Sequence, residues 1–157
     1  MDYNVIEGDF TQTDANVAVI VSRWNEFITE KLKEGALDTL CRQGMSASDI
    51  TVVYCPGSYE IPFTAKKLAA QKKYDGIICL GTVIRGSTPH FEYVCSAVNK
   101  GISSLNLELD IPVIFGVLTT DTVEQAIERA GTKAGNKGAD AALAFLEMYS
   151  LALKLEN

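Results

Sequence analysis

The only histidine of this 157-residue chain, His90, stands in the stretch VIRGSTPHFEYV, directly behind Gly86, Ser87, Thr88 and Pro89. Residues of these types at this spacing suit two chemistries at once. Proline favours the first helical position and pushes the residue before it out of the α region. Thr88 is therefore the expected N-cap of a helix, with Pro89 as its first residue and His90 in its first turn. Gly86 allows an unusual backbone angle, and Ser87 and Thr88 add hydroxyls. A glycine–hydroxyl loop at the start of a helix presents free N–H groups and the positive end of the dipole, a setting that suits a phosphate. The same loop is equally compatible with an ordinary helix cap. Beside an anion seat, an imidazole whose protonated form the helix end disfavours is placed for general acid–base work.

Other unusual residues occur in similar settings. Trp24, the sole tryptophan, follows an apolar run in SRWN, where an indole either packs into the core or stacks on a flat heterocycle. Glu60, in PGSYEIP, is either a helix N-terminal charge or an acceptor for sugar hydroxyls. Arg129, Lys133 and Lys137 form a small basic island in a chain of net charge −6, available for an anion or as compensation for helix C-termini. That overall charge argues against a broad nucleic-acid or anionic-membrane surface, so an anionic ligand must be caught locally. The four cysteines, Cys41, Cys55, Cys79 and Cys95, are widely spaced with no C-x-x-C, which reads as packed thiols rather than metal ligands.

These residues need a frame, and the apolar pattern predicts one. NVAVIVS (16–22), ITVVYC (50–55), GIICLGT (76–82) and PVIFGVLT (112–119) are short, nearly continuous apolar runs, as strands buried on both faces read. Each precedes a helical pattern: 26–43, 59–71, 90–106, and then 122–130 with a long final helix near 137–155. In the first helix, Phe27, Ile28, Leu32, Ala36 and Leu40 are expected on one buried stripe, with Gly44 as the C′ glycine. Four βα units predict a single α/β domain over 1–157, a doubly wound parallel sheet between helices. YNVIEG, near the N-terminus, reads as an extra edge strand, either within the chain or added to a neighbouring subunit. In such a sheet ligands bind beyond the carboxyl ends of the strands. That rule selects the loops holding Trp24, Glu60 and His90, and the one after the fourth strand, where Thr119 to Asp121 follow Phe115, which lies within the strand. MDYNVIEGDF has no signal-peptide pattern, and no run approaches the ~20 apolar residues of a membrane span, so a cytoplasmic protein is expected.

Taken together and in order, RWN, PGSYEIP, GTVIRGSTPHFEYV, PVIFGVLT and RAGTKAGNKGADAA make the chain resemble the 6,7-dimethyl-8-ribityllumazine synthase family over essentially its whole length. The resemblance implies a flavodoxin-like subunit that condenses 5-amino-6-(D-ribitylamino)uracil with 3,4-dihydroxy-2-butanone 4-phosphate, using neither metal nor redox cofactor. Carried over, Trp24 is the aromatic that stacks on the pyrimidine, where the family more often has phenylalanine. Ser58 and Glu60 fall to the ribityl side, with Tyr59 between them a further substrate-binding residue, and Thr82, Val83 and Ile84 to the uracil edge. Gly86, Ser87 and Thr88 belong to the butanone-phosphate loop, with Arg129 the phosphate-binding arginine. His90 becomes the proton-transfer residue, Phe115 a second wall of the heterocycle pocket and Lys137 a further substrate contact. The resemblance also implies a homo-oligomer. In its pentameric ring Arg129 and Lys137 reach the pocket of an adjacent subunit, and the N-terminal strand joins a neighbour's sheet. GTKAGNKG resembles members whose pentamers close into an icosahedral capsid, with riboflavin synthase as a possible cargo.

Two other classes fit the same frame: a flavin- or phosphate-binding carrier without turnover, and a purely structural shell protein. Formation of a lumazine from the two substrates separates the enzyme from both.

Overall fold

The computed structural model describes all 157 residues. Its centre is a four-stranded, all-parallel sheet in the order β2-β1-β3-β4, formed by β1 (Val17–Ser22), β2 (Ile50–Cys55), β3 (Gly76–Ile84) and β4 (Val113–Thr120). Helices cover both faces, the doubly wound α/β arrangement the apolar runs predict and the flavodoxin-like form the resemblance implies. Val17, Val19 and Val21 of β1 face α1 (Glu26–Arg42) and α5 (Lys137–Glu156), meeting Leu32, Ala36, Leu40, Phe145 and Leu146. Ala18 and Ile20 face the other way, toward α2 (Ile61–Ala70) and α3 (His90–Glu108), where Ile61, Ala65, Val98 and Ile102 pack. Alternate residues of one strand thus feed two separate cores, which is why the strand reads as continuously apolar.

Ile28, Leu32, Ala36 and Leu40 form the buried stripe of α1, but Phe27 is 73% exposed. Successive residues lie about 100° apart on a helix, so the i, i+4 row through Ile28 leaves Phe27 on the flank. Gly44 closes α1 with φ 111°, its N–H donating to the Cys41 carbonyl while the Met45 N–H reaches back to Leu40. This is a Schellman closure, for which a left-handed glycine is suited.

Three local expectations need correction, and the alternatives for YNVIEG narrow: it forms no strand within the chain, and Tyr3, Val5 and Ile6 are exposed. The segment instead passes α5, where Lys154 Nζ donates to the Glu7 carbonyl (2.9 Å) and to Asp9 Oδ2 (2.8 Å) and Asp9 N donates to Ser150 Oγ (3.2 Å). The fourth helix is short: α4 spans Val123–Glu128, and a small antiparallel hairpin follows, β5 (Ala130–Thr132) and β6 (Gly135–Asn136), turned by Gly131 and Gly135 at positive φ. Thr88 is not an N-cap. α3 starts at His90, and Pro89, at φ −65° and ψ −2°, occupies the cap position with no side-chain cap. Gly86 has no left-handed angle, and a Cβ there would meet nothing within 4 Å.

No helix is long and apolar enough to cross a membrane. The cysteines are all free; Cys55 and Cys79 are buried, Cys95 is half-buried and Cys41 is exposed.

Candidate active site

The chain runs from β1 to β2 on one side and then to β3 on the other, so the topological switch point lies between β1 and β3. A cavity of about 420 Å³ opens there, within the range of small-molecule sites. Its lining combines Trp24 and Asn25 after β1, Ser58, Tyr59 and Glu60 after β2, Thr82, Val83 and Ile84 of β3, and His90 and Val94 of α3.

Hydrogen bonds beyond the strand ends hold these loops in place. Trp24 N donates to the Pro56 carbonyl at 3.0 Å, tying the first loop to the second. Asn25, at φ 64° and ψ 43°, occupies the N-cap position of α1 without a capping bond from its side chain. Its Nδ2 donates instead to the Thr82 carbonyl (3.0 Å), linking the first loop to the end of β3. Asparagine tolerates that left-handed angle better than most residues. Glu60 Oε2 accepts from Gly57 N at 3.0 Å, which fixes the carboxylate within its own turn. The hydroxyls of Ser58 and Thr82 are buried at the cavity wall without a partner. A buried hydroxyl without a partner is costly, and each of these would have to turn toward the cavity to meet a ligand. Burial also pushes the neighbouring Cys55 thiol up to about 11, with the Glu60 charge adding to the effect, so this thiol is not a nucleophile near neutral pH.

The loop between β3 and α3 is exposed. Gly86, Ser87 and Thr88 lie outside regular structure, and none of their amides enters a backbone hydrogen bond. Arg85 anchors the start of this loop. Its own N–H donates to the Thr120 carbonyl (2.8 Å), its Nε to Asp121 Oδ1 (2.8 Å), its Nη1 pairs with Glu92, and its guanidinium lies 4.3 Å over the Phe91 ring. Asp121 and then Glu92 raise the Arg85 pKa, and Arg85 in turn holds the Glu92 carboxyl below its usual range. An exposed pair of this kind adds little stability, but the two-armed guanidinium sets geometry. The Arg85 charge is engaged there.

Gly86, Ser87 and Thr88 therefore flank the cavity without lining it. Phe115, Arg129 and Lys137 lie elsewhere, in a depression of about 400 Å³ along the free edge of β4, with Val117, Leu118, Thr119, Ala134 and Asp140. The two sites share no residue. Arg129 Nη1 donates to the Gln125 carbonyl (3.0 Å) and lies 3.7 Å from Glu128, leaving the guanidinium largely exposed. Arg129 caps α4 at its C-terminus, as dipole compensation would have it. Lys137 opens α5, a helix end that disfavours a cation. Dipole compensation therefore does not explain Lys137. It is held there because Asn136 caps α5, accepting from Gly138 N (2.8 Å) and Ala139 N (3.1 Å) and donating to the Lys31 carbonyl (3.0 Å).

Asn25, Val94 and Arg85 were not singled out from the sequence. Asn25 alone had a usable signal, as an N-cap type residue directly before the first helix.

A model of the 6,7-dimethyl-8-ribityllumazine synthase family matches residues 14–152, nearly the whole chain. The match spans both the strand-end cavity and the β4 edge. The chain therefore belongs to the 6,7-dimethyl-8-ribityllumazine synthase family, transferases of riboflavin biosynthesis that act on small molecules and oligomerise.

Proposed function

We propose that the chain condenses 5-amino-6-(D-ribitylamino)uracil with 3,4-dihydroxy-2-butanone 4-phosphate to give 6,7-dimethyl-8-ribityllumazine, phosphate and water. The observation that carries this reading is the cavity at the switch point, which joins an exposed aromatic, two unpartnered hydroxyls and the sole imidazole in a chain the family model matches. Trp24 stacks on the pyrimidine, Thr82, Val83 and Ile84 meet its edge, and Ser58, Tyr59 and Glu60 take the ribityl chain. The free amides of Gly86, Ser87 and Thr88 seat the phosphate at the start of α3. The uracil's 5-amino group adds to the ketone and loses water as the C=N bond forms. Loss of a proton from the hydroxyl-bearing carbon then expels phosphate from its neighbour and leaves an enol, which tautomerises to a new carbonyl and a methyl group. The ribitylamino nitrogen closes the ring on that carbonyl, and a second water departs. His90 moves protons in these steps. Holding both substrates together supplies much of the acceleration, and cations near the departing phosphate stabilise its charge.

Arg129 and Lys137 serve a neighbouring copy's cavity, since their own chain keeps them apart from His90. The working unit is then a pentameric ring, closing further into an icosahedral shell, with the exposed Tyr3–Ile6 segment adding to the free edge of a neighbour's β2. Riboflavin synthase is a candidate for the interior. The chain acts as one domain in the cytoplasm. Mixing the two purified substrates with the protein is the test. Lumazine absorbance should grow with time, and its absence, with ligand still bound, would leave a carrier.

A further inference from the structure

We infer that Gly57 is a positioning residue for Trp24: its missing side chain sets the pose of the indole against which a flat heterocycle stacks. The inference rests on the stacking role proposed for Trp24 and deepens it. Gly57 is buried and has φ −136° and ψ 179°, extended backbone that any residue adopts. Conformation therefore does not require glycine there, but space does. A Cβ on residue 57 would lie 2.7 Å from Trp24 Cζ3, closer still to Cε3, and 3.1 Å from Glu60 Oε2.

The backbones on either side of this contact are held. Gly57 N donates to Glu60 Oε2 (3.0 Å), and its carbonyl accepts from Glu60 N (3.2 Å) and Cys55 Sγ (3.5 Å). Trp24 N is bound to the Pro56 carbonyl at 3.0 Å. The part free to yield is the indole, which is 63% exposed and so has solvent to swing into. A methyl at position 57 consequently displaces the ring from the cavity wall while leaving the fold intact. Glycine at 57 and tryptophan at 24 act as a matched pair, and together they set how far the aromatic wall stands from the strand ends.

The test uses Gly57→Ala in the assembled full-length protein, where the single tryptophan makes emission a direct report on this ring. In the ligand-free variant the Trp24 emission should move to longer wavelength and its near-ultraviolet dichroism should weaken, with Tm unchanged within about 2 °C, the shift expected of less than 1 kcal/mol. KM for the ribitylaminouracil should rise about two- to tenfold, the range an aromatic stack represents, while KM for the butanone phosphate stays the same. In a Trp24→Ala background, adding Gly57→Ala should raise the uracil KM no further. Unchanged emission and KM would overturn the inference. So would an equal rise in both KM values with a lower Tm, or an effect that persists without the indole. The ligand-free spectra need no substrate. Failure of the unaltered protein to form lumazine would break the proposed function alone, and unaltered spectra would break the Gly57 role alone.

Discussion

The strand-end cavity and the β4 edge are near in volume and opposite in chemistry. The cavity has an indole, hydroxyls, a carboxylate and the only imidazole, but no lysine or arginine in its lining. The β4 depression has Arg129, Lys137 and Phe115, but no histidine. The proposed reaction, which expels phosphate, draws on both sets, and one chain does not bring them together. On that proposal, the subunit is folded around half of each of two sites. Two copies of the chain in the proposed ring complete each other, and that requirement makes assembly part of catalysis.

The largest effect should come from the cavity side. His90→Ala should lower kcat by about 10²-fold or more at saturating substrates, the low end for a lost acid–base group. An unaltered kcat would take His90 out of the reaction. Arg129→Ala breaks the other half differently. KM for the butanone phosphate should rise about tenfold to a hundredfold, as expected on losing a charge-assisted phosphate contact, while KM for the uracil holds. A rise confined to the uracil would contradict the assignment of the β4 edge to phosphate. Gly86→Ala sharpens the boundary between the two regions and should have the smallest effect. A Cβ there meets nothing within the chain, so Tm should not move. A methyl in the anion seat should still raise KM for the phosphate substrate about threefold, on the order of the lower values for one ordinary hydrogen bond. An unchanged KM would mean that the phosphate does not approach Gly86.

Much of the frame was readable from the amino-acid order, because β1 and β3 are buried, nearly continuous apolar runs ending in loops of special residues. β2 reads the same way but, at the sheet edge, is only partly buried. GIICLGT marked β3, and the strand proved two residues longer, through Val83 and Ile84. The carboxyl-end rule then pointed to Trp24, Glu60 and His90, which do share a cavity. What stayed hidden depends on pairing across distance. Asn25 bonds a carbonyl 57 positions away and Arg85 a carboxylate 36 away, and no local spacing announces either. The β5–β6 hairpin was hidden for another reason: strands of three and two residues leave no periodicity. YNVIEG reads as a strand because Tyr3, Val5 and Ile6 are β-favouring residues ahead of a glycine. Within one chain the segment does not join the sheet, and Lys154 ties its Glu7 and the following Asp9 to α5 instead.

The most direct test of a divided site is to co-express His90→Ala with Arg129→Ala and assay the mixed oligomers. Each variant alone should be weak at a low concentration of the phosphate substrate. The mixed particles should recover up to about a quarter of the unaltered rate, because a ring of both variants pairs an intact cavity with an intact β4 edge at one interface in four. Mixed particles no more active than the average of the two variants would contradict the account, and would put both halves of the site in the same chain.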